Sequence, residues 1–132
     1  MSKTDSEPDE RLSDAELVAR VTLLAPGIIL MREVPLPTLT TVHQMFRRVE
    51  KLLGDEPLHA LIGDLRQGSL PGAEVRAKVR GELKKHRCRR MGMVFPENRL
   101  FQVAAKFLVA ATSSDALIFD SPEEALAAFL DD

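Results

Sequence analysis

The hydrophobic pattern begins with two short β-rich runs that a Pro-Gly pair separates. The runs cover residues 18–24 and 28–34, and Pro26-Gly27 lies between them. Proline fixes φ and glycine accepts the positive φ of a tight turn, so the two runs are predicted to form an antiparallel hairpin. Pro35 is expected to end the second strand, because proline has no backbone N–H to donate to a sheet.

Apolar residues at helical spacing follow the hairpin and then alternate with further short apolar runs. The spacing predicts helices over residues 38–53, 71–86, 98–110 and 122–130, and the last opens with the capping signal Ser121-Pro122-Glu123-Glu124. The runs at 58–64, 91–95 and 117–119 predict three more strands. The helix over 98–110 is nearly all apolar, so we expect it to be largely buried.

This order of elements, ββαβαβαβα, indicates the fold class. Strands that alternate with helices form a mainly parallel sheet, because each parallel pair needs a crossover connection. We therefore predict an α/β fold with four helices and a five-stranded, mainly parallel sheet whose first strand is antiparallel at an edge. Residues 1–14 are acidic and lack apolar periodicity, which predicts a disordered tail. Residues 15–132 are predicted to form the α/β domain, which is of ordinary size.

Composition narrows the setting in which the protein works. No run of about 18 uncharged apolar residues exists, so we expect no membrane span. The N-terminus has no apolar segment of the kind that secretory signals carry, and Cys88 is the only cysteine, which fits a reducing compartment. We therefore expect a cytoplasmic protein. It has no Trp or Tyr, which argues against an aromatic platform for nucleic-acid bases.

The residues that usually carry catalysis or hold metals are scattered along the chain. Metal ions need converging ligands, whereas the three histidines are far apart in sequence and Cys88 has no second cysteine beside it. There is no Gly-x-Ser-x-Gly elbow and neither common phosphate-binding glycine motif. We therefore expect no catalytic residue, no metal and no cofactor, and hence no enzyme.

Cys88 leaves two interpretations open. It lies among Arg87, Arg89 and Arg90, and nearby cations lower the pKa of a thiol and favour the reactive thiolate. Alternatively, it is a small residue in the turn between a helix and a strand. We favour the second interpretation, because reactivity requires solvent exposure as well as a low pKa.

Two segments, together with the order of elements, resemble a known superfamily. The segments are Leu-His-Ala-Leu-Ile-Gly-Asp-Leu-Arg at 58–66, followed by a loop and a helix, and Asp-Ser-Pro-Glu-Glu-Ala-Leu at 120–126. Over residues 17–130 the chain resembles the STAS superfamily, and within it the small bacterial SpoIIAA-like proteins related to anti-sigma-factor antagonists. The resemblance implies a sheet with the first strand at an edge beside the third, and a role in protein–protein regulation.

The phosphorylation motif of those antagonists is not reproduced here. They carry an Asp-Ser-(Ser/Thr)-Gly-type motif after the third strand, with a serine at the start of the next helix as the target. In this chain the loop after Asp64 contains Ser69, but the residues around it do not form the motif. Ser69 is therefore a candidate phosphorylation site on position alone.

A basic helix beside this loop indicates where a partner would bind. Residues 76–90 hold eight of the eighteen bases and a single acid, Glu82. The loop over 66–72 leaves the carboxyl end of a buried strand, where α/β sheets place their sites. We expect an acidic protein partner here, whereas a net charge of −2 argues against nucleic acid. The predicted partner-binding residues are Asp64, Arg66, Ser69, Arg76, Arg80 and Lys84.

Other interpretations remain at this point. The basic stretch could be a solvated face, and the Asp64–Arg66 pair could serve only to cap the loop. The apolar helix over 98–110 could line a pocket, which would make the protein a carrier of a small apolar or anionic ligand, as in CRAL-TRIO-like proteins. A chain of this length needs that helix for its core, so we favour the regulatory module. A hydrolase with an unfamiliar site is the third class, and the module could act as a homodimer.

Overall fold

The computed structural model describes residues 11–67, 71–96 and 116–131. In these ranges the chain forms five strands and four helices. In chain order they are α1 Asp14–Arg20, β1 Val21–Ala25, β2 Ile28–Arg32, α2 Leu39–Leu53, β3 Ala60–Asp64, α3 Ala73–Lys85, β4 Arg90–Val94, β5 Ala116–Phe119 and α4 Pro122–Leu130.

The five strands form one mixed sheet in the order β1-β2-β3-β4-β5. Strand β1 is antiparallel to β2, and every later pair is parallel. The predicted α/β class, with an antiparallel strand at one edge, is confirmed. The STAS resemblance implies that the first strand lies beside the third, and this expectation is wrong. The first strand lies beside the second, because the short turn at Pro26-Gly27 returns the chain directly alongside β1.

Gly27 is required at this turn. Its φ is +76°, and a Cβ atom there would lie 3.0 Å from the carbonyl oxygen of Pro57. The Gly27 carbonyl oxygen also accepts hydrogen bonds from the backbone N–H groups of His59 and Ala60. The turn of the hairpin therefore also fixes the start of β3, and only glycine fits there without strain.

Both faces of the central strands are apolar, so the core has two layers. On one face Ile29, Leu61 and Met91 pack against α2, whose apolar stripe includes Met45 and Phe46. The opposite face packs against α4 and contains Ile28, Leu30, Ala60, Ile62, Val94, Ala125 and Phe129. Burial on both faces explains why these strands are continuous apolar runs rather than alternating ones.

The N-terminal boundary of the domain lies earlier than predicted. Ser13 caps α1, and its hydroxyl accepts from the backbone N–H of Glu16 while the Glu16 carboxylate accepts from the N–H of Ser13. The backbone N–H and C=O of Leu12 bond to the side-chain amide of Gln44 on α2, at 2.8 and 3.0 Å. The tail boundary at residue 14 is thus corrected to a point before Leu12, and the predicted strand over 18–24 begins instead at Val21.

The other helices follow their sequence signals where they can be compared. Helix α2 is capped by Thr38 and ended by Gly54, and α4 is capped by Ser121. The predicted helix over 98–110 lies outside the described residues. Among the helices that the structure does describe, none has the length and apolarity to cross a bilayer.

Candidate functional site

The carboxyl end of β3 carries a two-pronged ion pair between Asp64 and Arg66. Arg66 Nε donates to Asp64 Oδ1 at 3.0 Å, and Arg66 Nη2 donates to Oδ2 at 2.8 Å. The backbone N–H of Arg66 also donates to Oδ1, at 3.1 Å. Arg32, at the parallel end of β2, places its Nε 3.9 Å from Oδ2. The Asp64 carboxylate thus caps the first residues of the loop, which agrees with the capping interpretation.

The same contacts keep Asp64 ionised although it is buried. Burial by itself raises the pKa of this carboxyl, but the hydrogen bonds from Arg66 and the charges of Arg66 and Arg32 outweigh it. The net pKa of Asp64 is therefore lowered from its ordinary value. A carboxylate held this firmly in its charged form is a poor proton donor near neutral pH.

A cavity of about 250 Å³ lies at this edge of the sheet, and we call it the carboxyl-edge cavity. It is lined by Arg32, Glu33, Asp64, Arg66 and Gln67. Burial raises the pKa of Glu33, although the backbone N–H of Val34 and the charge of Arg20 oppose that rise. Glu33 and Arg32 were not predicted as site residues. Their position at the end of β2 could have identified them from the sequence, because parallel pairing places the end of β2 beside the end of β3.

The predicted basic residues of α3 divide between the two ends of that helix. Arg76 lies in the first turn, where its Nη1 donates to the carbonyl oxygen of Pro71 at 2.9 Å and so ties the loop to the helix. Arg80 and Lys84 are exposed and lie one and two turns further along, so that Lys84 is about 12 Å from Arg76. The five predicted residues that the structure describes thus extend from the end of β3 along α3. Ser69 lies outside the described residues.

Arg80 and Lys84 line a second cavity of about 430 Å³, which we call the basic cavity. Four of the eight described residues that line it are cationic, and none is acidic. From the sequence, Arg89 and Arg90 belong to the basic stretch over 76–90 and neighbour Cys88, but they are not among the predicted partner-binding residues. The turn after α3 brings Arg89 to the same wall as Arg80 and Lys84, which residue spacing alone could not show. The guanidinium of Arg90, by contrast, lies over the ring of Phe129. The lining residues are Arg80, Gly81, Leu83, Lys84, Cys88, Arg89, Arg90 and Met91.

The opposite side of α3 carries an ion-pair network with α2. Glu82 is buried and contacts Lys78 Nζ at 3.0 Å and Arg47 Nη2 at 3.1 Å. Burial raises the pKa of Glu82, but the hydrogen bond from Lys78 and the charges of Lys78, Arg47 and Lys85 outweigh it, so the net pKa is lowered. Glu50 on α2 lies 3.1 Å from Lys85 Nζ. These contacts join the two helices.

His86 approaches the two glutamates in a group with the spacing of metal ligands. Its Nε2 lies 3.1 Å from Glu50 Oε2 and 3.4 Å from Glu82 Oε1, and the three ligand atoms lie within 4.8 Å of one another. However, Arg47 Nη2 already lies 2.9 Å from Glu50 Oε2 and 3.1 Å from Glu82 Oε1, the same two oxygens. A divalent ion would have to displace that guanidinium, so we interpret the group as part of the helix-packing network.

Cys88 is a half-buried thiol in the wall of the basic cavity. Its Sγ donates to the carbonyl oxygen of Arg90 at 3.1 Å. Burial raises its pKa to about 11, even though its two sequence neighbours and Arg90 are cationic. The thiol is thus protonated near neutral pH, which supports the turn-residue interpretation over the reactive one.

Comparison with known proteins adds no assignment. No protein-family model matches the chain, and no curated protein matches it. The STAS-like and SpoIIAA-like relationship therefore stays a prediction.

Proposed function

We propose that this chain is a non-catalytic regulatory module that binds another protein through the outer side of α3. The observation that carries the proposal is the pair Arg80 and Lys84, which are exposed one turn apart. Within the described ranges, no acidic side chain pairs with either of them. Cations left unpaired on a helix surface attract an acidic surface and increase the rate of encounter with it.

The chemistry of the two cavities supports a binding role rather than a catalytic one. Asp64 is held ionised by Arg66, and the Cys88 thiol is held protonated by burial. Neither is thus poised as a general acid or as a nucleophile. The proposal accordingly needs no metal and no cofactor.

The partner in this proposal is a protein with an acidic surface. Arg76 and the Asp64–Arg66 pair would border the contact at the start of α3, and Arg80 and Lys84 would carry its charge. Ser69, which precedes α3 in the sequence, stays a candidate phosphorylation site, and a phosphate there would add negative charge to the chain. The resemblance to SpoIIAA-like regulators supports a regulatory role, and a homodimer would be compatible with it.

We further propose a cytoplasmic setting. The single cysteine cannot form an internal disulfide, and a chain without internal disulfides fits a reducing compartment. A location in the cytoplasm would also bring the basic helix to acidic regulatory proteins of the same compartment.

Affinity capture with charge-reversed variants tests the proposal. Arg80→Glu and Lys84→Glu should each reduce recovery of the acidic partner by about tenfold, because one attraction becomes a repulsion. Lys51→Glu is the matched control, since Lys51 is exposed on α2, away from this surface. All three variants should unfold at the temperature of the parent. Equal recovery with all of them would refute the assignment of this surface.

An anionic-ligand carrier is the second candidate, and the basic cavity is the observation that favours it. Native mass spectrometry of the purified protein separates the two functions. A bare mass supports the interaction module, whereas a retained small anion supports the carrier.

A further inference from the structure

The first described residues of the chain are attached to α2 beside α3. The side-chain amide of Gln44 on α2 bonds to both backbone groups of Leu12, at 2.8 and 3.0 Å. Arg11 precedes Leu12 and lines a cavity of about 390 Å³ together with Gln44 and with Lys78 on α3. Residues 1–10, which we call the acidic segment, therefore join the domain next to α3.

The acidic segment and the outer side of α3 carry opposite charges. The segment contains four acids and one base. On α3, Arg80 and Lys84 are exposed and form no ion pair with any acidic side chain in the ranges that the structure describes. Lys78 and Lys85, on the side of α3 that faces α2, are paired with glutamates. An acidic chain close to α3 is thus attracted to Arg80 and Lys84, because salt at about 0.15 M screens charges only beyond about 8 Å. The acids of the segment are Asp5, Glu7, Asp9 and Glu10.

The route from the acidic segment to these cations is short and crosses two small side chains. Ala77 and Gly81 are exposed and lie between Lys78 and Arg80 around the circumference of α3, since successive residues of a helix are about 100° apart. A Cβ added at Gly81 would meet no described atom within 4 Å, so the surface is open at that point. An extended chain spans at most about 3.3–3.6 Å per residue, so residues 5–10 reach about 20 Å, which is roughly twice the diameter of a helix.

We propose that the acidic segment binds the outer side of α3 and competes there with an acidic protein partner. This inference rests on the proposed function, because it concerns the regulation of the same surface. Each ion pair on an exposed surface contributes little, but a segment of the same chain has a high local concentration at that surface. A partner binds only the molecules in which the surface is free, so its apparent affinity is lowered in proportion.

Two double variants of the full chain test this contact, and they remove the same number of charges. The segment variant, Asp5→Asn with Glu7→Gln, removes two acids of the acidic segment. The control variant, Asp55→Asn with Glu56→Gln, removes two exposed acids from the loop after α2. The ion pairs between α2 and α3 use other carboxylates, so both variants retain them.

Backbone amide NMR detects the contact without any partner. At about 0.05 M salt the segment variant should shift the amide resonances of Ala77, Gly81 and Lys84 relative to the parent, because the acids no longer lie over them. The shift should vanish at about 0.5 M salt, where screening weakens the contact in the parent as well. The control variant should leave these resonances in place. Resonances that stay unchanged in the segment variant, or that move equally in the control, would overturn the proposal.

Binding of a synthetic poly-glutamate peptide measures the competition. At low salt the segment variant should bind the peptide about two- to fivefold more tightly than the parent, which corresponds to the loss of a weak surface contact, and the control variant should bind it as the parent does. Equal gains in both variants would mean that only net charge matters, and the competition would be rejected. Arg80→Glu separates this inference from the proposed function. If Arg80→Glu leaves peptide binding unchanged, the proposed function fails, whereas parent-like affinity in the segment variant refutes only the competition.

Discussion

Asp64 is a buried carboxylate whose charge is stabilised by its neighbours. Its position directly after an apolar run made it a candidate from sequence, and its pairing with Arg66 was among the alternatives considered. What the sequence could not show is the approach of Arg32, because that contact depends on the parallel register of β2 and β3. An ion pair between residues two positions apart can be predicted from the sequence, whereas a contact between residues on two different strands can be found only once the fold is known.

The lowered pKa of Asp64 predicts a pH dependence of stability. The folded carboxyl stays charged to lower pH than the unfolded one, so its contribution is present above an unfolded pKa of about 3.9 and is lost as the pH falls through the folded pKa. Asp64→Asn should therefore reduce the free energy of unfolding at pH 7 by about 1–3 kcal/mol. Urea denaturation should show that the difference from the parent shrinks at acidic pH. A difference that is constant with pH would mean that the charge is not the cause.

The raised pKa of Cys88 predicts a slow thiol. At pH 7.5 iodoacetamide should alkylate the folded protein more than about tenfold more slowly than it alkylates free cysteine, because little thiolate is present. Mass spectrometry against time measures this rate, and the same reaction in denaturant supplies the control. Alkylation of the folded protein at the rate of free cysteine would restore the reactive interpretation.

At the scale of elements, the sequence predicts a long helix with a strongly periodic apolar stripe, but it does not predict the short helix α1. Helix α2 was predicted closely because its apolar stripe, its Thr38 cap and Gly54 all agree. Helix α1 was missed because Val18 suggests a strand, while the capping box formed by Ser13 and Glu16 was overlooked. That box, with its spacing of three residues, was the signal that could have located the helix.

Two N-terminal deletions test the corrected boundary. Removal of residues 1–10 should leave the thermal midpoint unchanged, since that acidic segment offers little apolar surface to bury. Removal of residues 1–13 also removes the cap of α1 and the bonds between Leu12 and Gln44. Loss of a cap costs about 1 kcal/mol, which should lower the midpoint by roughly 2–8 °C in calorimetry. Equal midpoints for the two deletions would contradict the docking of this segment.

At the scale of the whole molecule, packing sorts the bases of α3 into two groups. The sequence shows eight bases and one acid between residues 76 and 90, but it does not show which bases face α2. The structure pairs Lys78 and Lys85 with carboxylates on that side and leaves Arg80 and Lys84 outside. Among the described residues, the predicted basic face is thereby reduced to the cations of α3 that form no ion pair with an acidic side chain. The contact between α2 and α3 determines which bases are paired, and composition alone does not predict that contact.

The affinity of the captured partner, measured against ionic strength, tests the central claim most directly. The parent protein should bind several-fold more weakly at about 0.15 M salt than at about 0.05 M, because salt screens the charges of Arg80 and Lys84. Arg80→Glu should weaken binding about tenfold at low salt and flatten its salt dependence, while Lys51→Glu should behave as the parent does. If Arg80→Glu binds with the affinity and salt dependence of the parent, the outer side of α3 is not the binding surface.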